Sequence, residues 1–216
     1  MKTLLILAAL MVAVPAIAGP PKLRDCARGV GQLENIALSW RPTNTIEPPA
    51  VVTIPPGAPV AAGAMMSTTV RVEVKALADS RQDPRRIGEN LESTAKGCVF
   101  PVTTSADGAA WTTDRIRFVL GQLGVTIVEK GGDVVLSGEL RKFFVIEDNT
   151  YRGVVGLRLD VTKAGTIVWS GLVTGSNSRF GSSYKLENYQ ESLSDAIIDA
   201  MGHLVENASF VRAVSP

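Results

Sequence analysis

The stretch from Asp133 to Ser176 limits this chain more than any other, because it reads as three consecutive strands with one face that needs cover. In its middle segment, Val155, Leu157, Leu159 and Val161 alternate with Gly156, Arg158, Asp160 and Thr162. Successive strand side chains point to opposite faces, so this spacing gives one wet face and favours antiparallel pairing. Glu147-Asp148-Asn149-Thr150 and Lys163-Ala164-Gly165 have the length and residue types of hairpin connections. The expected unit is a three-stranded meander over Asp133 to Ile146, Tyr151 to Thr162 and Thr166 to Ser176.

The cover comes from helices. Leu193, Ala196, Ile197, Ala200, Met201, Leu204 and Val205 recur at helical spacing on one stripe. Burying its five large side chains gives about 10 kcal/mol gross, before the entropy of ordering is subtracted. An earlier helix is predicted behind a hydroxyl cap at Thr112-Thr113, with Ile116, Val119, Leu120 and Leu123 on one face and Gly124 as its stop. Val125 to Val128 follows as a strand, and Gly131-Gly132 turns the chain.

Upstream, Val70, Val72, Val74 and Ala76 alternate with Arg71, Glu73 and Lys75, a half-buried strand. A polar turn over Asp79 to Pro84, then Ile87-Gly88-Glu89, leads to a second short strand candidate at Val99 to Val102. Together these elements predict an α+β domain, with two helices packed on one face of a mostly antiparallel sheet. Phe143, Val145, Val154, Val168 and Leu172 are the apolar candidates for the opposite face. They mark either a binding surface or a surface covered by the tail or an extra strand.

The chain begins with Lys2, an apolar run from Leu4 to Val14 and a small-x-small ending at Ala18. That is the pattern of a secretory signal cleaved after Ala18, and the run is too short to span a bilayer. Export to the periplasm is expected, with outer-membrane association as the variant. The first cysteine, Cys26, follows Leu23-Arg24-Asp25 rather than small residues, which argues against lipidation, so membrane association is expected to be indirect. Residues 19–64 read as a Pro/Ala/Gly-rich N-terminal arm or linker, with Ile36 to Trp40 as a strand candidate and Pro42 to Ala64 as extended chain. The domain proper is expected over 65–212, with 213–216 as a tail. In an oxidising compartment Cys26 and Cys98 form a bridge or remain two buried thiols, and a bridge would stabilise the fold by about 4 kcal/mol on the chain-entropy model.

Twenty-two Lys and Arg against 21 Asp and Glu leave a net charge of +1, with no electrostatic footprint for nucleic acid. The sequence has no CxxC, HExxH, EF-hand series or phosphate-binding glycine loop, so neither cofactor nor metal is expected. His203 is the only histidine, and no G-x-S-x-G turn accompanies it, so no catalytic residue is assigned. Asp79 with Asp83 and Glu147 with Asp148 sit in turns, where carboxylates are ordinary. The Ser/Gly-rich stretch from Gly175 to Tyr184 carries Arg179, Phe180 and Tyr184, which suits either an adaptable binding loop or a plain strand-to-helix connection.

With these elements placed, the run from Thr69 to Val211, about two thirds of the chain, resembles the YajG-like family of bacterial envelope lipoproteins. The residues that carry the resemblance are the Asp79-Ser80-Arg81 turn, Ile87-Gly88, Leu123-Gly124, Val134-Val135-Leu136 and Asp195-Ala196-Ile197. The layout is more distantly similar to the auxiliary lipoproteins of envelope ABC transport systems. The resemblance implies an envelope protein with no enzymatic residues to carry over. The sequence departs from the family in lacking a lipobox cysteine and in adding the Pro-rich arm. Only Asp79 and Arg81 match the family's recurrent polar motif, either as an Asx-type turn that fixes the chain or as a partner contact. The expected function is a non-catalytic accessory protein binding another envelope component. The second reading is a carrier for a small hydrophobic ligand, lipid or cell-wall fragment held between sheet and helices.

Overall fold

In a computed structural model the described residues are 24–26, 33–47, 52–54, 58–60, 70–92, 97–181 and 184–215. The signal-type segment and the first residues of the arm lie outside them. Among the described residues, eleven strands and three helices are formed. The meander is as expected but longer: β9 (Val134–Glu147), β10 (Thr150–Lys163) and β11 (Thr166–Phe180), joined by tight turns in which Asn149, Ala164 and Gly165 take positive φ.

β9 is the centre of the sheet. On one side it pairs antiparallel with β10. On the other it meets, in succession, β4 (Arg71–Val74), β5 (Ala78–Asp79) and β6 (Arg86–Asn90), all three parallel to it. β7 (Cys98–Thr103) pairs antiparallel with β6, and β8 (Thr126–Val128) pairs parallel with β4. β1 (Arg24–Asp25) adds to the outside of β7. The sheet is therefore mixed, its long ladders antiparallel as expected and its short ones on the far flank of β9 parallel. Alternation specifies which face a residue takes, not which way its neighbour runs, and the helix between β7 and β8 supplies the long connection that parallel pairing needs.

That helix, α1 (Gly108–Gln122), starts four residues before the Thr112 expected from sequence. Its cap is Asp107, whose carboxylate accepts the Ala110 amide at 2.9 Å. Thr112 and Thr113 are instead buried inside it, and the Thr113 hydroxyl donates to the Ala109 carbonyl. The second helix, α2 (Leu186–Glu206), buries all seven residues of its predicted stripe. A short third helix, α3 (Ala208–Val214), carries the core past residue 212 through Phe210, Val211 and Val214.

Two faces differ from expectation. Phe143 and Val145 are buried on the helix side, not on the open face. Leu140 pairs with Leu157 but Lys142 with Gly156, so Arg141 is an extra residue, and a bulge of this kind inverts the alternation beyond it. Glu73, expected on a wet face, is also buried. The connection from β8 to β9 passes over β4 there, and the amides of Gly131 and Gly132 both donate to Glu73 Oε2. A Cβ on Gly132 would lie 2.6 Å from the Glu73 nitrogen, so this crossing requires glycine.

The described part of the arm docks. Leu33, Ile36, Leu38, Trp40 and Ile46 pack on the core, and Trp40 lies 6.1 Å from Trp111 and 6.0 Å from Phe118 between ring centres. Ile36 to Trp40 is not assigned as the expected strand; the Ile36 amide donates to the Thr103 carbonyl of β7, and side chains meet other polar groups of the arm. Gln190 donates to the Ala37 carbonyl, Ser194 accepts the Arg41 amide, and buried Asp195 accepts the amides of Thr43 and Asn44 and the Thr43 hydroxyl. Within the proline-rich stretch, β2 (Val52–Ile54) and β3 (Ala58–Val60) pair as a separate antiparallel ladder. Cys26 and Cys98 form a disulfide across 72 residues, tying β1 to β7.

Candidate functional site

The face of the sheet turned away from α1 and α2 is the candidate site. Among the described residues β11 is its outer strand, with β10 as its one strand neighbour. Four large apolar side chains stand out from β11: Ile167 is 60% exposed, Val168 46%, Leu172 74% and Phe180 90%. On this face Leu172 sits opposite Arg158 of β10, and Val154 of β10 lies between Phe144 of β9 and Ser176 of β11. Val154, Val168 and Leu172 thus stand where the sequence placed them, while Phe144 and Ile146 take the places expected for Phe143 and Val145.

Among the described residues, α2 meets the backbone edge of β11 in its middle. The Thr174 carbonyl lies 2.9 Å from His203 Nδ1, and the Ser176 amide donates to Asp199 at 2.8 Å, so α2 seals these two positions. Near the start of the strand, the Trp169 side chain donates to the Ser209 hydroxyl on α3. His203 is therefore an edge-covering residue, in contact with a main-chain carbonyl and 3.8 Å from Asp199.

The residues singled out from sequence do not converge. Asp79 and Arg81 form a two-point ion pair across the turn after β5, with Arg81 also donating to the Pro84 carbonyl and lying 5.5 Å over the Phe143 ring. The Arg81 guanidinium holds the Asp79 carboxyl below its ordinary range, against the opposing effect of burial. Arg179 is ion-paired to Glu191 on α2. Phe180 ends β11 in solvent. Tyr184, in a left-handed conformation, turns inward, where its hydroxyl accepts the Leu33 amide and donates to the Pro101 carbonyl. The expected binding loop from Gly175 is strand as far as Phe180, because those residues continue the ladder with β10 to Thr150.

Glu147, which with Asp148 reads in the sequence as an ordinary turn carboxylate, is the last residue of β9. It is fully buried and accepts hydrogen bonds from the hydroxyls of Tyr151 at 2.7 Å and Tyr189 at 2.8 Å, and from the Tyr184 amide at 2.7 Å. Burial, and then the neighbouring carboxylate, push the Tyr189 hydroxyl far above its ordinary range, so it stays a donor. This cluster is a satisfied structural network joining β9, β10 and α2. Among the described residues no group of three or more His, Cys, Asp or Glu could hold a metal ion. No described helix is long and apolar enough to cross a membrane.

No family model matches the chain, and no curated protein does. Its fold is that of a solved protein from Xanthomonas campestris whose family model is DUF330. The TM-score is 0.50 at 14% identity, over 76% of this chain and 94% of that one. Weaker likenesses are to the PelC dodecamer of Paraburkholderia phytofirmans (TM-score 0.37, 15% identity, 67% of this chain and 87% of that one) and to lipoprotein GNA1162 of Neisseria meningitidis (TM-score 0.26, 12%, 53% and 87%). At such identities the first likeness shows the fold alone, and the other two carry no argument.

Proposed function

We propose that this chain is a non-catalytic accessory protein of the bacterial cell envelope, exported with its first 18 residues removed, that binds another envelope protein through the outer face of β11. The observation that carries this reading is the row of solvent-facing Ile167, Val168, Leu172 and Phe180 on one strand. Large apolar side chains left wet on the outer strand of a sheet favour association, since their exposure costs about 25 cal/mol per Å². The signal-type start, the short motifs that resemble the YajG-like lipoproteins and the bridged cysteines support the envelope placement. Asp79 and Arg81 serve this reading as the fixing of the turn, and Phe180 as the contact; Arg179 and Tyr184 hold the end of β11 in place behind it.

The second reading from sequence, a ligand held between sheet and helices, finds that space filled. Ile116, Val119, Leu136, Leu157, Leu159, Ile197 and Met201 meet there with at most 1% of their surface exposed. The docking reading is tested by pull-down from periplasmic extract with the exported protein and with a Leu172→Asp/Phe180→Asp variant. The wild type is expected to retain a discrete partner that the variant loses at unchanged melting temperature. A strictly monomeric wild type with no partner after mild crosslinking overturns it.

A further inference from the structure

Among the described residues β11 ends the sheet over 15 residues, whereas β1 and β8, which also lie at its margins, have two and three. A long outer strand presents a row of unpaired main-chain donors and acceptors, and sheets blunt such rows with charged residues, proline, bulges or a covering element. From Thr166 to Ser178 β11 carries neither a charged residue nor a proline. Its guards are an irregularity in the ladder to β10 at Val161/Thr162 and the cover of Thr174 and Ser176 by α2. Between these two guards lie Ser170 and Leu172, both exposed.

The direction of their main-chain groups follows from the covered pair. The Ser176 amide and the Thr174 carbonyl point away from β10, toward α2. In an antiparallel ladder the groups of successive residues point to opposite sides, and the register with β10 is unbroken from Ser176 back to Trp169. The amides and carbonyls of Ser170 and Leu172 therefore point outward too, and among the described residues they meet no partner. The Leu172 side chain, 74% exposed, stands on the outer face beside this edge.

We propose that the outer edge of β11 at Ser170 to Leu172 takes an extended segment of the partner protein as an added strand. This rests on the docking reading above and names what the partner presents there. An extended main chain supplies the donors and acceptors that Ser170 and Leu172 lack, and its apolar side chains on the outer face lie against Leu172 and Val168. The paired residues of the segment are uncharged, because a charge brought to this edge would find no opposite charge on β11 between Thr166 and Ser178. The same device occurs within the chain: β1 adds to the outer edge of β7, the amides of Arg24 and Cys26 donating to the Gly97 and Val99 carbonyls.

The test places a photo-reactive residue at Val168 of the exported protein in the intact cell envelope and reads the adduct in three backgrounds. Proline at position 170 removes an outward amide without breaking a bond to β10. Ser170→Pro, checked to be folded by circular dichroism, is expected to lower the adduct yield about fivefold, the effect of one lost hydrogen bond. Ser170→Ala, which keeps the amide, is expected to match the wild type, and Leu172→Asp to lose the adduct. In the purified wild-type adduct the amides of Ser170 and Leu172 are expected to exchange with deuterium about tenfold more slowly than in the free protein, a readout that stands even where Ser170→Pro fails to fold. Unprotected amides at both positions, a full yield in folded Ser170→Pro, or an adduct with a second copy of this chain overturns strand addition. The docking reading survives the first two results as long as Leu172→Asp abolishes the adduct. A full yield in Leu172→Asp, or no adduct from the wild type, overturns both.

Discussion

At Gly175 the α2 helix comes so close to β11 that a Cβ would lie 2.0 Å from the Ala196 carbonyl oxygen and 2.3 Å from the Ala200 nitrogen. Gly175→Ala therefore has to lift the helix from the sheet, and a loss of about 1 to 3 kcal/mol is expected in chemical denaturation. An unaltered midpoint would mean that the helix does not sit this close. A second residue-scale outcome concerns Asp133, whose carboxyl is lowered to about 2, first by the hydrogen bond from the Arg71 side chain and then by the Arg71 amide. A depressed carboxylate stabilises the fold above its unfolded value, and that contribution disappears as pH falls toward 2. Arg71→Gln is expected to show less loss of melting temperature than wild type between pH 4 and pH 2, and an identical acid profile would remove the pair from the account. The residue scale is also where sequence was weakest. Glu73 and Glu147 read as surface carboxylates, because their cover comes from a crossing loop and from two tyrosines brought in by the fold.

Elements were more legible. The stripe on α2 and the alternation on β10 were readable because each repeats over several turns or residue pairs, so one misplaced residue does not hide the period. Boundaries and faces failed where a single residue decides them. Asp107 caps α1 while Thr112-Thr113 offers a more obvious hydroxyl pair, and the extra residue Arg141 sends Phe143 inward and Phe144 outward. β11 ran on to Phe180 through a Ser- and Gly-rich stretch that propensity alone reads as loop, because the ladder to β10 overrides it. The direction of β4, β5 and β6 left no trace in their own sequences. The disulfide belongs to this scale, since it joins the two-residue β1 to β7 and closes a 72-residue separation. Replacing both cysteines with alanine is expected to cost about 4 kcal/mol if the constraint acts through the unfolded chain. Equal stability of the reduced and oxidised protein in urea would show that the bridge restrains nothing.

For the whole molecule, the helices, the arm and α3 cover one side of the sheet, and the other side is left with β11 at its margin. The exposed apolar side chains of β11 are the surface on which the proposed docking rests. Sequence reached the idea of an open binding face through Val154, Val168 and Leu172, but not the outer edge beside Ser170, which depends on where β11 stands in the sheet. The claim on which the rest depends is that β11 is where another envelope protein docks. A photo-reactive residue placed at Leu172 in the exported protein, with Lys130 as a control position, tests it in the intact cell envelope. The account predicts one discrete crosslinked adduct from position 172 and none from 130; the same adducts from both positions, or none from either, would contradict it.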